Sequence, residues 1–276
     1  MTDRYEISLL WGAATHRGAR RRLNEDAYVA GGPAFFVADG MGGHDAGDVA
    51  SAVAVTVLEP LTEVETVAID ALRTGVDAAH EVIRGIQAPP DRHAGTTLTG
   101  VTLTSQEGAP YWLVVNLGDS RTYRLADGAL EQVSVDHSEV QELVDAGEIS
   151  AADALTHPRR HVVTRVLGSP EDPVADYWFL PVHVGQRWLL CSDGLTSEVG
   201  DGRLAELLGE QQDPQRAADR LVDEALAAGG RDNITVVVVD VTDAQEPVES
   251  TIPRAQRVGS ARSTQRDLAR QEVKAG

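Results

Sequence analysis

Four aspartates stand at the ends of β-rich segments, and they restrict the possible fold more than any other feature of the sequence. Asp39 follows the apolar run 35–38 and precedes a glycine-rich turn. Asp119 and Asp193 follow similar runs, and Asp232 opens the last one. A fold that brings these strand ends to one edge would place four carboxylates together, and hard divalent cations prefer such oxygen ligands. The pattern therefore predicts one metal-binding cluster.

Short turns between the β-rich segments predict antiparallel strands. Residues 126–128 form a hairpin signal, and strands joined so closely cannot be parallel, because parallel strands need long crossovers. Helical spacing is present over 46–58, about 66–86 and 214–228, and Asp213 is suited to cap the last helix. The sequence thus predicts an α+β fold and argues against a doubly wound parallel sheet.

The net charge of the chain limits its partners. The 276 residues carry a net charge of −19, which argues against nucleic acid and anionic membrane as main partners. Cys191 is the only cysteine, so no disulfide can form within the chain, and we expect a reducing, cytoplasmic compartment. The N-terminus lacks a signal-peptide pattern, and no apolar run approaches the ~20 residues of a membrane span.

The hydrophobic pattern predicts one large domain followed by a tail. We assign 1–245 to the domain and about 136–168, a polar stretch between strands, to a surface flap. Residues 246–276 are basic and lack apolar periodicity, so we expect a disordered tail. We expect the protein to be a monomer.

Several familiar sites do not match the sequence. The glycine-rich turn after Asp39 has no Gly-Lys-Ser/Thr, and Asp45 stands where a dinucleotide fingerprint needs glycine. Ser120 would need a histidine well downstream to act as an esterase nucleophile, and no histidine follows His183. A phosphate loop, a dinucleotide site and a serine esterase are therefore rejected.

Seven short motifs occur in one order between about residues 10 and 241. They are RRLNED at 21–26, VADGMGG at 37–43, AGTT at 94–97, LGDSR at 117–121, DHS at 136–138, SDGL at 192–195 and GRDNIT at 230–235. In this order they resemble the metal-dependent PP2C-type (PPM) serine/threonine protein phosphatases, in their bacterial form. The resemblance implies an αββα sandwich, in which two antiparallel sheets are flanked by helices and a dinuclear metal site lies at one edge.

The resemblance also implies a ligand set for two Mn²⁺ or Mg²⁺ ions. The position of Asp39 bridges both ions in the family, and the carbonyl of Gly40 contributes to one of them. Asp193 and Asp232 match the ligands of the other ion. Oxygen-only ligation suits such ions, which keep several waters.

Two further aspartates and one arginine match outlying family positions. Asp26 matches a residue that acts through metal-bound water, and Asp119 matches, with Asp193, the ligands of a weaker third ion. Arg21 has the family spacing to Asp26 and would bind phosphoryl oxygens. The implied reaction is direct attack of a metal-bridging hydroxide on a phosphoserine or phosphothreonine monoester, without a phosphoenzyme.

One departure from the family concerns the proton donor for the leaving group. Animal members carry a histidine where this chain has Met41, although bacterial members commonly have methionine. His44, three residues later, is a candidate donor, and metal-bound water and a structural role for His44 stay open. The partners implied are proteins phosphorylated on serine or threonine, together with a Ser/Thr kinase. The alternative is a pseudophosphatase that binds phosphorylated partners.

Overall fold

The computed structural model describes residues 7–42, 46–86, 94–172, 174–243 and 256–257. Its strands are β1 (Ser8–His16), β2 (Asp26–Gly31), β3 (Ala34–Met41), β4 (Gly95–Thr96), β5 (Leu98–Gln106), β6 (Ala109–Leu117), β7 (Arg121–Ala126), β8 (Ala129–Gln132), β9 (Asp176–Pro181), β10 (Arg187–Cys191), β11 (Ile234–Asp243) and β12 (Gln256–Arg257). Its helices are α1 (Gly47–Leu58), α2 (Ile69–Arg84), α3 (Glu139–Asp145), α4 (Ala151–Ala154), α5 (Asp193–Thr196), α6 (Asp201–Glu210) and α7 (Pro214–Ala228), and a 3₁₀ turn, Glu59–Thr62, follows α1.

The strands form two sheets. One has the order β1-β11-β10-β7-β8, and the other has the order β12-β9-β6-β5-β3-β2, with β4 paired to β3. Every pair of neighbouring strands in the described residues is antiparallel. The antiparallel prediction is confirmed.

Strand β3 is buried on both faces, and its alternation defines two layers of core. Phe35 and Val37 pack between the two sheets, together with Trp112 and Trp188. Phe36 and the other residues of its face pack against α1 and α2. Because successive side chains of a strand point to opposite faces, one continuous apolar run fills both layers.

Strand β11 repeats this arrangement in the other sheet. Val237 and Val239 contribute to the layer between the sheets, whereas Val236 and Val238 pack against residues of α6 and α7. The layers are therefore helices, sheet, sheet and helices, which confirms the predicted αββα sandwich.

Local signals at turns and helix ends also agree with the structure. Asp127 and Gly128 both have positive φ, 52° and 76°, as a type I′ hairpin requires. The side chain of Asp213 accepts a hydrogen bond from the Arg216 N–H at the start of α7. Helix α2 begins at Ile69, later than predicted, and α6 was not predicted at all.

Residues 136–168 contain α3, α4 and turns, and both ends of this segment are attached to the rest of the fold. Ser138 bridges to Val163 near its base. Leu167 and Thr96 exchange two backbone hydrogen bonds, of 2.9 and 3.2 Å. The segment is thus anchored beside β4, which pairs with the end of β3.

Two residues of the predicted tail, Gln256 and Arg257, pair with β9, and residues 244–255 and 258–276 lie outside the described residues. Among the helices that the structure describes, none combines the length and the apolar character needed to cross a bilayer.

Candidate active site

Two aspartates lie opposite each other near the end of the β2–β3 pair. Asp26 opens β2 and is the direct cross-strand partner of Asp39 in β3. Directly opposed residues of an antiparallel pair project from the same face. That face also carries Phe35 and Val37, so both carboxylates point towards the second sheet.

The second sheet contributes two more aspartates to the same edge. Asp193 is the first residue of α5, just after β10, and Asp232 stands just before β11. Because β10 and β11 are antiparallel neighbours, the end of one and the start of the other lie side by side. Ser192 joins the two sheets here, since its Oγ accepts the Thr235 N–H at 3.0 Å and donates to Oδ2 of Asp26 at 2.8 Å.

Asp119 is held near Asp39 by a buried threonine. Oγ1 of Thr97 accepts the Asp39 N–H at 3.0 Å and lies 2.7 Å from the Ser120 Oγ. Gly118, which precedes Asp119, has a φ of +103°, and a Cβ there would lie 2.6 Å from Cγ2 of Thr97. The turn that carries Asp119 therefore requires glycine and packs directly on Thr97.

Burial and mutual repulsion raise the pKa values of these carboxyls. Burial is the largest cause, and the charge of Asp193 adds to it: the pKa of Asp26 rises from 3.8 to about 7, and that of Asp119 rises to about 8. Burial, followed by the charges of the four other aspartates, raises the pKa of Asp39 well above its ordinary value. Burial and then the charge of Asp232 raise the pKa of Asp193. The five carboxylates thus share one electrostatic environment.

Two oxygens of the cluster are buried without a hydrogen-bond partner among the described residues. They are Oδ1 of Asp26 and Oδ1 of Asp193. A buried carboxylate oxygen without a donor or a cation is strongly unfavourable. A donor set made only of oxygens suits Mg²⁺ or Mn²⁺. The residues present therefore fit a divalent-cation centre.

The backbone at Gly40 has no room for a side chain. Its N–H donates to the Glu25 carbonyl at 3.1 Å. A Cβ at this position would lie 2.1 Å from the carbonyl oxygen of Gly47 and 2.5 Å from that of Glu25. On the other side, Oγ1 of Thr96 donates to the Asp39 carbonyl at 2.9 Å. The close contacts fix the backbone that follows Asp39.

Arg21 reaches the cluster from the loop between β1 and β2. Its Nη2 donates to Oδ2 of Asp232 at 2.6 Å, while the Arg21 side chain keeps 49% of its surface exposed. Oδ1 of Asp232 accepts the Asn233 N–H at 2.8 Å, so both oxygens of this aspartate have protein partners. The exposed part of the Arg21 guanidinium can bind an anion that approaches the cluster.

The candidate proton donor, His44, lies outside the described residues. Met41 ends β3 and pairs with Gly95, and its thioether has no proton to donate. His161, in the segment 136–168, lies near the cluster, and its interaction with Asp193 offsets a small part of the rise in the Asp193 pKa that burial and the charge of Asp232 cause. This histidine stands in a polar run without a motif, so its place beside the cluster was not predictable from the sequence.

Asn233 is a second residue whose role the sequence did not reveal. Its Nδ2 donates to the carbonyls of Arg17 and Leu23, at 2.9 and 2.8 Å, and its Oδ1 accepts the Glu25 N–H at 2.9 Å. One side chain therefore holds both ends of the loop that carries Arg21. The motif GRDNIT contains Asn233, but the motif does not indicate that this side chain binds a loop more than 200 residues away in the sequence.

A separate group of possible ligands lies between α2, which carries His80 and Glu81, and the loop that carries Asp172. Among the described residues, an imidazole nitrogen of His80 and carboxylate oxygens of Glu81 and Asp172 lie within 4.8 Å of one another. Nδ1 of His80 accepts the Gly168 N–H at 3.1 Å, so the neutral ring carries its proton on Nε2 and offers no lone pair to a cation. Burial, and then the charge of Arg84, lower the pKa of His80 and favour that neutral ring. His80 therefore fixes the backbone of Gly168, and its ring in this tautomer is not a metal ligand.

Comparisons with known proteins place the chain among protein phosphatases. A family model described as protein phosphatase 2C matches residues 15–228. The serine/threonine protein phosphatase PstP of Mycobacterium tuberculosis is 38% identical over 245 residues, which cover 87% of this chain and 46% of PstP. The serine/threonine phosphatase stp of Listeria innocua is 36% identical over 242 residues, which cover 82% of this chain and 93% of stp.

A solved structure agrees with the fold. The crystal structure of the PstP catalytic domain in complex with two manganese ions has a TM-score of 0.77 at 37% identity, and the match covers 86% of this chain and 100% of that one. The chain spans about half the length of full PstP and nearly all of the Listeria protein.

Proposed function

This chain belongs to the protein phosphatase 2C family, and we propose from that premise that it is a metal-dependent phosphatase of phosphoserine and phosphothreonine monoesters. The observation that carries the proposal is the meeting of five aspartates from both sheets at one edge, where two buried carboxylate oxygens lack a partner among the described residues. A cluster of like charges with unsatisfied oxygens is unfavourable unless cations bind there.

The proposed metal centre uses residues from five strand ends. Asp39, the Gly40 carbonyl, Asp193 and Asp232 would hold the two ions directly. Asp26 would act through water, and Asp119 would serve with Asp193 at a weaker third ion. When bound, two Mn²⁺ or Mg²⁺ ions supply Lewis-acid chemistry, which makes water a stronger nucleophile and neutralises phosphoryl charge. Thr97 and Ser192 hold Asp39 and Asp26 in position.

We propose that Arg21 binds the phosphoryl group. Its hydrogen bond to Asp232 fixes the guanidinium beside the cluster, and its exposed donors match the geometry of phosphate oxygens. The reaction forms one bond from a water oxygen to phosphorus and breaks the bond to the serine or threonine Oγ. The leaving oxygen takes a proton, and the products are phosphate and the free hydroxyl. His44 remains our candidate donor of that proton, because the Met41 side chain has no proton to donate.

A binding module without catalysis is the alternative, and it is not favoured. Such a protein would be expected to have lost at least one ligand aspartate. All five aspartates of the cluster are present, and burial raises the pKa of four of them. This combination supports retention of metal-dependent chemistry.

The wider setting follows from the proposed reaction. We propose that the substrates are proteins phosphorylated by a Ser/Thr kinase and that the enzyme reverses such signals in the cytoplasm. Cys191 is the single cysteine, so no disulfide can form within the chain, and this supports a reducing compartment. We further propose a monomer with a domain over 1–245, a flap over about 136–168, and a tail over 246–276, of which Gln256 and Arg257 pair with β9.

The proposal is tested by hydrolysis of p-nitrophenyl phosphate and of a phosphothreonine peptide with Mn²⁺, with Mg²⁺ and with EDTA. We expect turnover only with a metal ion. Asp193→Asn should lower turnover at least about a hundredfold, because loss of even an outer partner of a metal ligand costs about 10–100-fold. Asp223→Asn, an exposed position on α7, is the matched control. Full turnover in EDTA or in folded Asp193→Asn protein would contradict the proposal.

A further inference from the structure

The loop between β1 and β2 concentrates positive charge on a strongly acidic protein. Residues 17–24, which we call the arginine loop, contain four arginines and no aspartate or glutamate, whereas the whole chain carries −19. Arg21 pairs with Asp232, and Arg17 donates to the Arg21 carbonyl at 3.0 Å. The other two, Arg20 and Arg22, are exposed beside them.

The backbone of the arginine loop is fixed against the segment that carries Asp232. Asn233 donates to carbonyls near both ends of the loop, and the Ala19 N–H donates to the Gly230 carbonyl at 2.7 Å. Gly18 has a φ of +78°, and a Cβ there would lie 2.0 Å from the Asp232 carbonyl oxygen. The arginines therefore project from a rigid frame next to the phosphate-binding position proposed for Arg21.

Arg20 and Arg22 make no side-chain hydrogen bond or ion pair in the part of the chain that the structure describes, although the chain has 43 acidic residues. Arg231 nearby is different, because Glu198 binds its Nε and Nη2 at 2.9 and 2.8 Å. That hydrogen bond is the main cause of the lowered pKa of Glu198, and the charge of Arg20 adds only a smaller part. Two guanidinium groups are thus available to an incoming anion on a surface rich in carboxylates.

We infer that Arg20 and Arg22 recognise acidic side chains that flank the phosphorylated residue of the substrate. The inference rests on the proposed function, since Arg21 sets where the phosphate lies. Arg20 and Arg22 are its direct neighbours, with Cα atoms about 3.8 Å from that of Arg21, and an extended peptide advances about 3.3–3.6 Å per residue. Carboxylates one to three residues from the phosphorylated residue therefore come within reach of these arginines.

The acidic body of the protein makes this local charge selective. A carboxylate that approaches elsewhere on the surface meets net negative charge, whereas one beside Arg20 and Arg22 is attracted. A lysine beside the phosphorylated residue would meet like charge at the same place. Specificity of this kind combines an attractive contact with a repulsive one.

The test compares phosphothreonine peptides whose neighbouring residues are all glutamate, all alanine or all lysine. We measure kcat/KM for each peptide, and divide it by the turnover of p-nitrophenyl phosphate by the same variant. With the wild type, kcat/KM should be about tenfold or more higher for the glutamate peptide than for the lysine peptide. Each of Arg20→Ala and Arg22→Ala should reduce this glutamate-to-lysine ratio about two- to fivefold. The preference should shrink at about 1 M salt, where the Debye length is about 3 Å.

Three further variants distinguish a local contact from a general charge effect. Arg216→Ala removes one exposed arginine from α7 and should leave the ratio unchanged. Arg20→Lys and Arg22→Lys keep the charge and should retain most of the preference.

A wild type that hydrolyses p-nitrophenyl phosphate but is indifferent to the flanking residues overturns this inference alone. The inference is also overturned if Arg216→Ala changes the ratio as much as Arg20→Ala does. An enzyme inert towards every substrate overturns the proposed function, and this inference with it.

Discussion

The substitution Asp26→Asn should stabilise the metal-free protein, and the gain should grow with pH. Burial, with the charge of Asp193 added, raises the pKa of Asp26 from 3.8 to about 7. In the unfolded chain this carboxyl ionises above its ordinary pKa, whereas in the folded chain it holds its proton until about pH 7. Raising the pH through this window therefore favours unfolding of the metal-free protein.

The size of the effect follows from the two pKa values. The pKa of Asp26 rises by about three, and a change of one in a pKa corresponds to about 1.36 kcal/mol. The gain in the free energy of unfolding is therefore at most about 4 kcal/mol at pH 8. Asparagine removes the charge and can still accept the hydrogen bond from Ser192. We expect a gain close to zero below about pH 4, below about 2 kcal/mol at pH 5, and largest above pH 7.

Thermal unfolding in EDTA at several pH values measures this gain. A change of 1 kcal/mol shifts the midpoint by about 2–4 °C for a domain of this size, so the variant should melt roughly 10 °C higher than wild type at pH 8. Excess Mn²⁺ should reduce this difference, because an ion at 100 times its Kd adds about 2.7 kcal/mol to a protein that binds it, which offsets more than half of a gain of about 4 kcal/mol. Asp223→Asn should melt at the same temperature as the wild type both in EDTA and with Mn²⁺. An Asp26→Asn gain that is absent at pH 8, or equal at pH 5 and pH 8, would refute the electrostatic reasoning.

Two more substitutions test the phosphate position and the backbone of the metal loop. Arg21→Ala should lower kcat/KM for p-nitrophenyl phosphate about a hundredfold, as expected for loss of one fixed donor to the transition state, and Arg21→Lys should recover only part of it; steady-state kinetics measure both, and equal activity in all three proteins would exclude phosphate binding by Arg21. Gly40→Ala should lower the free energy of unfolding by about 1–3 kcal/mol or more, because its Cβ would lie 2.1 Å from the Gly47 carbonyl oxygen. Urea unfolding measures this change, and Gly202→Ala, where a Cβ meets nothing within 4 Å, is the control; equal stability of the two variants would contradict the close packing inferred for the loop.

Much of the fold was predictable because local signals agree with the final structure. The hairpin at 126–128 needs two positive φ values, and Asp127-Gly128 is a sequence that supplies them. Helix α7 has its cap, its first-turn proline and its terminal glycine in the sequence. Helix α6 was missed, although Leu204, Leu207 and Leu208 have helical spacing, because the glycines around them weaken the signal.

The aspartates of the site were also predictable, but the residues that hold them were not. Each aspartate follows or precedes a strand in the sequence, and strand ends are visible from apolar patterning. Thr97 and Ser192 stand in the motifs AGTT and SDGL, but these motifs do not say which distant groups their hydroxyls bind. Their roles depend on which strands become neighbours, and strand order is a property of the whole fold.

The arrangement of the cluster explains why metal binding and stability should be linked in this protein. Asp39 lies on a strand buried on both faces, and its backbone is held by Thr96 and Thr97, so it cannot move away from Asp26 and Asp193. In the absence of cations, the carboxyls can reduce their repulsion only by taking up protons, which raises their pKa values. Divalent cations compete with those protons for the same oxygens, so metal affinity should fall as the pH falls through the raised pKa values. The rigid strand ends thus leave the carboxylates two ways to reduce their repulsion, protons and cations, and the cation becomes the favoured partner as the pH rises through the raised pKa values.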